Sequence, residues 1–269
     1  MLIVDAHQHV GTLTDVLAYD SSESAPEPSV EHDAAERVAR MDALGIAWAV
    51  LQPSHGYLRP EGLVDTMRVN DRMARYRDCA PGRFRILGTT EPVHGERSLD
   101  EIDRVAESLH LDGLSWHHRF QGCFIDSRWM WPTLERMSER GLVPLIHVNA
   151  ESSMEAHWRL QRLARDFPEL TFLAMDGLWS YERARHVLAT AALTPNIVWD
   201  IGGPSIYVSV DEWVHSNGSE TICFSAGGTY EAGPVAVPPL LAAIEHADIS
   251  EEDKSNILGG NLTRAFTSK

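Results

Sequence analysis

Lysine is nearly missing from this chain. Of 269 residues only Lys254 and Lys269 are lysines, and acidic side chains outnumber basic ones by 39 to 23. The formal net charge of −16 leaves no positive footprint for nucleic acid and none for an anionic membrane surface. Cysteine is scarce as well. Cys79, Cys123 and Cys223 cannot all pair and none lies in a C-x-x-C, which reads as reduced thiols packed as small hydrophobes. No apolar run approaches the roughly 18 residues of a membrane span. Residues Met1 to Asp5 show neither the charged n-region nor the apolar h-region of a secretory signal. These absences predict a soluble, cytoplasmic protein with no membrane or nucleic-acid partner.

What is present is ample apolar material, 43% of the residues, enough for a large core. Short apolar runs alternate with segments of helical period, eight times over. The expected strands are Leu2–His7, Ala47–Gln52, Arg85–Thr90, Gly113–His117, Leu142–Val148, Leu170–Met175, Ile197–Ile201 and Thr221–Ser225. Between them, Ala34, Val38 and Met41, then Met130, Leu134 and Met137, then Ala156, Leu160, Leu163 and Phe167 recur at three- and four-residue spacing, each marking one buried helical face. Gly45 and Gly141 fall where helices should stop, and Asp126 and Ser152 where they should start. Alternating strands and helices imply parallel strands with right-handed crossovers, and eight units at this length predict a single-domain (β/α)8 barrel over residues 1–269. A doubly wound open sheet would want a glycine-rich phosphate turn, and the Gly202-Gly203 and Gly259-Gly260 pairs lack the G-x-G-x-x-G spacing. The polar stretch from Asp20 to His32 is expected to be a loop after the first strand, either over the barrel mouth or simply solvated.

The chemistry-bearing residues cluster at expected strand ends. His7 and His9 are two apart on the first strand and so point the same way. At the mouth of a barrel they form either half of a transition-metal site or a hydrogen-bonded pair without metal. His147 ends the fifth strand, opposite the first across an eight-stranded barrel, and can close a three-histidine set; His117, ending the fourth, faces the same cavity.

In order along the chain, Val4-Asp-Ala-His-Gln-His9, Gly113-Leu-Ser-Trp-His-His-Arg-Phe-Gln-Gly122, Leu142-Val-Pro-Leu-Ile-His147 and Ile257-Leu-Gly-Gly-Asn-Leu-Thr-Arg-Ala-Phe266 resemble the motifs of the amidohydrolase superfamily, in its amidohydrolase-related branch. The resemblance implies a TIM barrel, usually with one divalent metal, in a family that includes hydrolases of lactones and amides, decarboxylases and hydratases. It also shows departures. Met175 stands where the family carries a strand-six histidine, Ser115 where its fourth-strand motif has lysine, and Gly227 where strand eight ends in a metal-binding, proton-shuttling aspartate. With no lysine before Lys254, a carboxylated-lysine bridge between two metals is not expected, and the site is expected to be mononuclear.

The expectation from sequence is therefore a metal-dependent hydrolase acting through metal-activated water on a small carboxylated lactone or amide. His7, His9 and His147 hold one Zn²⁺ or Mn²⁺, Asp176 replaces the missing base, and His117 polarises or orients. Strict alternation points Asp176 away from the pocket, so a bend at Gly177 is required. Arg119, with Gln121 beside it, can hold a substrate carboxylate, and Trp179 is placed against a ring-bearing substrate. Glu91 and Asp200 are further carboxylates near the mouth, Glu91 more in keeping with a surface loop charge. The partner is a small, anionic molecule, with a homo-oligomer allowed. Two alternatives stand beside this reading: a decarboxylase or hydratase on the same scaffold, and a degenerate barrel kept for binding.

Overall fold

The computed structural model describes residues 1–11, 29–57, 59–149, 152–202, 207–227 and 237–267. Eight parallel strands run in sequence order round one sheet: β1 Val4–Val10, β2 Trp48–Pro53, β3 Phe84–Gly88, β4 Gly113–Trp116, β5 Val143–His147, β6 Phe172–Met175, β7 Ile197–Asp200 and β8 Ile222–Cys223. The ring closes where Ala6 N–H donates to the Phe224 carbonyl at 3.2 Å and Ala226 N–H donates to Asp5 Oδ1 at 2.8 Å. This is the expected (β/α)8 barrel. Helices cover it outside, among them α1 Val30–Leu44, α2 Leu63–Cys79, α3 Glu96–Glu107, the single turn α4 His118–Gln121, α5 Met130–Arg140, α6 His157–Asp166 and α7 Tyr181–Thr190. Among the described residues, no helix is long and apolar enough to cross a membrane.

Two apolar layers hold the cylinder. Its interior is filled by Val4, Ala6, Val50, Leu87, Val143, Leu145, Leu173, Met175, Val198 and Cys223, with Leu262, Ala265 and Phe266 of the C-terminal helix closing the end away from the site. The alternate residues of the same strands, such as Leu51, Ile86, Leu114, Ile146 and Trp199, face the helices and join the larger core. Gly113 is required by closeness: a Cβ there would lie 2.1 Å from the Val143 carbonyl oxygen.

The helical faces fall where the periodicity puts them, and Gly45 (φ 70°) and Gly141 (φ 64°) end α1 and α5 in the left-handed conformation. The helix starts differ. α5 begins at Met130, and Asp126 instead pairs with Arg159 and Arg162. Ser152 caps a short 3-10 turn, Ser153–Glu155, and α6 starts at His157. The first strand also runs three residues further than expected, to Val10, with an irregularity in register between Asp5 and Gln8. That bulge lets Ala6 fill the interior while His7 and His9 also turn inward. Of the stretch from Asp20 to His32, residues 20–28 lie outside the described residues.

Candidate metal centre

His7 and His9 lie on β1 and His147 ends β5, and the structure brings their rings together at the C-terminal end of the barrel. His7 Nε2 is 3.1 Å from His9 Nε2 and 3.2 Å from His147 Nε2. All three residues are buried. The other ring nitrogen of each is engaged. His9 Nδ1 lies 3.2 Å from the Pro53 carbonyl, His147 Nδ1 lies 2.9 Å from the Trp116 carbonyl, and His7 Nδ1 lies 3.4 Å from Asp200 Oδ2. A carbonyl only accepts, so in His9 and His147 the proton is on Nδ1 and the Nε2 lone pair is bare. Nε2 atoms this close must share either a proton, donated by His7, or a cation held between them. Tetrahedral ligation at the usual zinc–nitrogen length sets nitrogens about 3.3 Å apart, so the spacing fits. The donor set, imidazole with carboxylates behind it, suits a divalent transition ion rather than Mg²⁺ or Ca²⁺.

Electrostatics agree with that role. Burial, aided by the charge of His7, lowers the pKa of His9 to about 3; burial and the surrounding imidazoles hold His147 well below the ordinary histidine value. Both rings are therefore neutral, as imidazoles that take up a metal must be. Burial works in the same direction on His7, but the hydrogen bond to Asp200 and the charges of Asp176, Asp200 and Asp5 outweigh it and raise the net value. His7 therefore holds a positive charge more readily than a free imidazole, and a cation bound at the cluster would meet the same negative field.

Asp176 reaches the cluster by a route the sequence does not show. Met175 points into the barrel as alternation requires, and the turn occurs at Asp176 itself, in the left-handed region at φ 66°, rather than at Gly177. The strain at a non-glycine residue is held by Asp200, whose Oδ1 accepts the Asp176 N–H at 2.9 Å. Asp176 Oδ1 lies 3.8 Å from His7 Nδ1, and its carboxylate is grouped with nitrogen atoms of His117 and His147, all within 4.8 Å of one another. Burial raises the Asp176 carboxyl to about 7, with the charge of His7 opposing.

His117 stands just past β4, stacked on His147 with ring planes 2° apart and centroids 4.4 Å apart. Its Nδ1 lies 2.5 Å from Glu155 Oε1. Glu155, fully buried, is raised to about 8 by burial, against the opposing backbone hydrogen bond and charge of Arg119. Arg119 is engaged with that glutamate: its main-chain N–H donates to Glu155 Oε1 at 2.9 Å and its side-chain Nε lies 3.9 Å from Oε2. Gln121 is buried and donates from Nε2 to the Thr90 carbonyl at 2.8 Å. Trp179 donates its indole N–H to the Gly202 carbonyl at 2.5 Å, across the β6–β7 side of the mouth. Glu91 is not a surface charge: it is buried, with Arg59 Nε at 2.5 Å and Tyr57 Oη at 2.7 Å. Gly227 (φ 77°) follows β8 with no side chain to offer.

The sequence reading passes over His55 and Glu155. His55 follows β2 by two residues, and its buried ring lies 5.7 Å from that of His147. Its position at a strand's C-terminal end was a usable signal. Glu155 comes from the 3-10 turn after β5, where nothing in the local pattern marks it.

The sequence profile of the amidohydrolase family matches residues 4–266. The chain belongs to that family, as the strand-end motifs implied. No curated protein matches it in sequence. Several solved structures resemble it over nearly the whole length. A 5-carboxyvanillate decarboxylase from Novosphingobium aromaticivorans, complexed with manganese and 4-hydroxy-3-methoxy-5-nitrobenzoic acid, is 18% identical with a TM-score of 0.71, covering 98% of this chain and 96% of that one. The 2,6-dihydroxybenzoate decarboxylase from Rhizobium is 16% identical with a TM-score of 0.72, covering 99% of each chain. A 4-oxalomesaconate hydratase from Rhodopseudomonas palustris is 16% identical with a TM-score of 0.71, covering 98% of this chain and 95% of that one. At these identities the likeness establishes the barrel.

Proposed function

We propose that the protein is a mononuclear, divalent-metal-dependent lyase that releases CO₂ from a small aromatic carboxylate. The observation that carries this reading is the acid–base group: Asp176 stands beside the three histidines with its carboxyl raised to about 7, whereas Gly227, past strand eight, has no side chain to serve in its place. His7, His9 and His147 would hold the ion, Mn²⁺ or Zn²⁺, which when bound supplies a Lewis acid that binds and orients an anionic oxygen group. Loss of CO₂ breaks a carbon–carbon bond and leaves the electron pair on the ring carbon, which must take up a proton. A carboxyl titrating near neutrality holds that proton and gives it up on demand. Asp176 then recovers a proton from water. The His117–Glu155 pair on the same side fixes the imidazole orientation beside the reacting carbon. The decarboxylases among the structural relatives, one with manganese and an aromatic acid, support the same reading.

Hydrolysis of a lactone or amide is the second reading, because the same carboxyl, ionised, takes a proton from water. The two part on products. The Mn²⁺-loaded protein is expected to release CO₂ from a member of a hydroxybenzoate panel, and Asp176→Asn to lower kcat by about 10²- to 10⁴-fold with metal content unchanged. Ring opening or amine release without CO₂, or full activity in Asp176→Asn, contradicts the proposal.

A further inference from the structure

Two polar side chains at the mouth are buried without full partners, and the proton transfer above uses neither. Gln52 lies on β2 two residues beyond Val50, which belongs to the barrel interior, so strand alternation turns Gln52 inward as well. It sits opposite His9 in the β1–β2 register. The residue is fully buried, and neither its Nε2 nor its Oε1 has a hydrogen-bond partner among the described residues. His55, 2% exposed, presents its ring to those of His9, His147 and His117, with centroids 6.1, 5.7 and 6.2 Å away. Its Nε2 meets Ser115 Oγ at 3.2 Å, and its Nδ1 has no partner among the described residues.

Native interiors pair their buried polar groups, and an exception calls for a specific reason. Here the exceptions adjoin metal-site histidines, and their place in the barrel supplies the reason. Strands two and six face each other across an eight-stranded barrel, so a substrate over the histidines has Asp176 on one side and Gln52 with His55 on the other. The β2 side offers dipoles rather than charge. The hydrogen-bond partner of the His55 ring is the Ser115 hydroxyl rather than a carboxylate, and the guanidinium of Arg59 is engaged by Glu91 and by the carbonyls of Tyr57 and His55. An amide and an imidazole with no carboxylate partner match an uncharged oxygen group, donating to it and accepting from it, and they do not compensate a second buried carboxylate.

We propose that Gln52 and His55 form a subsite for an uncharged hydroxyl or carbonyl oxygen of the substrate, across the histidine cluster from Asp176. This rests on the lyase reading, which puts the substrate carboxylate at the histidines.

The test titrates benzoate, the three monohydroxybenzoates and isophthalate into Mn²⁺-loaded wild type and Gln52→Leu by calorimetry. In wild type the best hydroxybenzoate binds about 5- to 10-fold more tightly than benzoate, the worth of one good hydrogen bond, and isophthalate binds no better than benzoate. Gln52→Leu binds benzoate as wild type does and loses the hydroxyl preference. Ligand-free, it melts about 2–4 °C higher, because an unpaired buried amide is gone. His55→Phe is expected to reduce the hydroxyl preference likewise and serves if Gln52→Leu does not fold. Benzoate binding with no hydroxyl preference in wild type, or a preference for isophthalate, overturns the subsite alone. So does a preference that survives in the variants, or a lower melting temperature for Gln52→Leu. No binding of any benzoate overturns the lyase reading and the subsite with it.

Discussion

Asp200→Asn probes the residue on which the site geometry converges. The Asp200 carboxylate is fully buried and accepts from three directions: His7 Nδ1 at 3.4 Å, Asp176 N–H at 2.9 Å and Ser225 Oγ at 2.8 Å. It therefore orients the His7 imidazole and holds the left-handed turn that presents Asp176. Asparagine keeps the shape but replaces one acceptor oxygen with an NH₂, which must face one of those donors in a dry interior. A partner behind a ligating histidine typically changes metal affinity by about 10- to 100-fold, or about 1.4–2.7 kcal/mol. The Mn²⁺ dissociation constant of the variant, measured by calorimetry on folded, metal-stripped protein, is expected to rise by that factor. Ser225→Ala removes one donor, leaves His7 and Asp176 paired with the carboxylate, and is expected to shift the constant far less. An unchanged constant in Asp200→Asn, with the fold intact by circular dichroism, would refute the argument that Asp200 holds His7 in its ligating orientation.

The remaining predictions concern acid stability and follow from His118. Its ring is fully buried beside Trp116, neither nitrogen has a hydrogen-bond partner among the described residues, and burial lowers its pKa to about 3. The unfolded chain takes up the proton near the ordinary value of about 6.5. The contribution is thus present above pH 6.5 and lost as pH falls toward 3, amounting to about 3 kcal/mol by pH 4. His118→Leu is expected to flatten the decline between pH 7 and pH 4 by that amount in urea titrations. It should also unfold at lower pH than wild type, and parallel pH profiles would contradict the assignment.

The barrel was legible because its signals are local and repeated. Each strand carries an apolar run, each helix a buried stripe, and the left-handed caps at Gly45 and Gly141 declare themselves by residue type. His7, His9 and His147 were legible for a related reason: they sit at strand ends, where alternation and barrel closure dictate which way a side chain points. Asp176 stood out in the sequence as a carboxylate at the mouth, but the turn that brings it to the cluster did not. A positive φ at an aspartate leaves no mark in the sequence, since the Asp200 carboxylate that holds it comes from another strand. Glu155 and the capture of Glu91 by Arg59 and Tyr57 were hidden in the same way, each set by contacts between distant segments. The bulge in β1 escaped because residues 2–10 can be read in either phase until β2 supplies a register. The loss at Gly227 was plain from sequence, whereas the dipolar wall of Gln52 and His55 became apparent only once burial and missing partners could be counted.

The claim on which the rest depends is that the three imidazoles share one divalent ion. A crystal of the Mn²⁺-loaded protein, with anomalous diffraction collected above and below the manganese edge, tests it most directly. The account predicts a single anomalous peak about 2.0–2.3 Å from the Nε2 atoms of His7, His9 and His147, with Asp176 turned toward it. Density that places the ion elsewhere, or a cluster that stays metal-free in millimolar Mn²⁺ and Zn²⁺ while the barrel is intact, would contradict it.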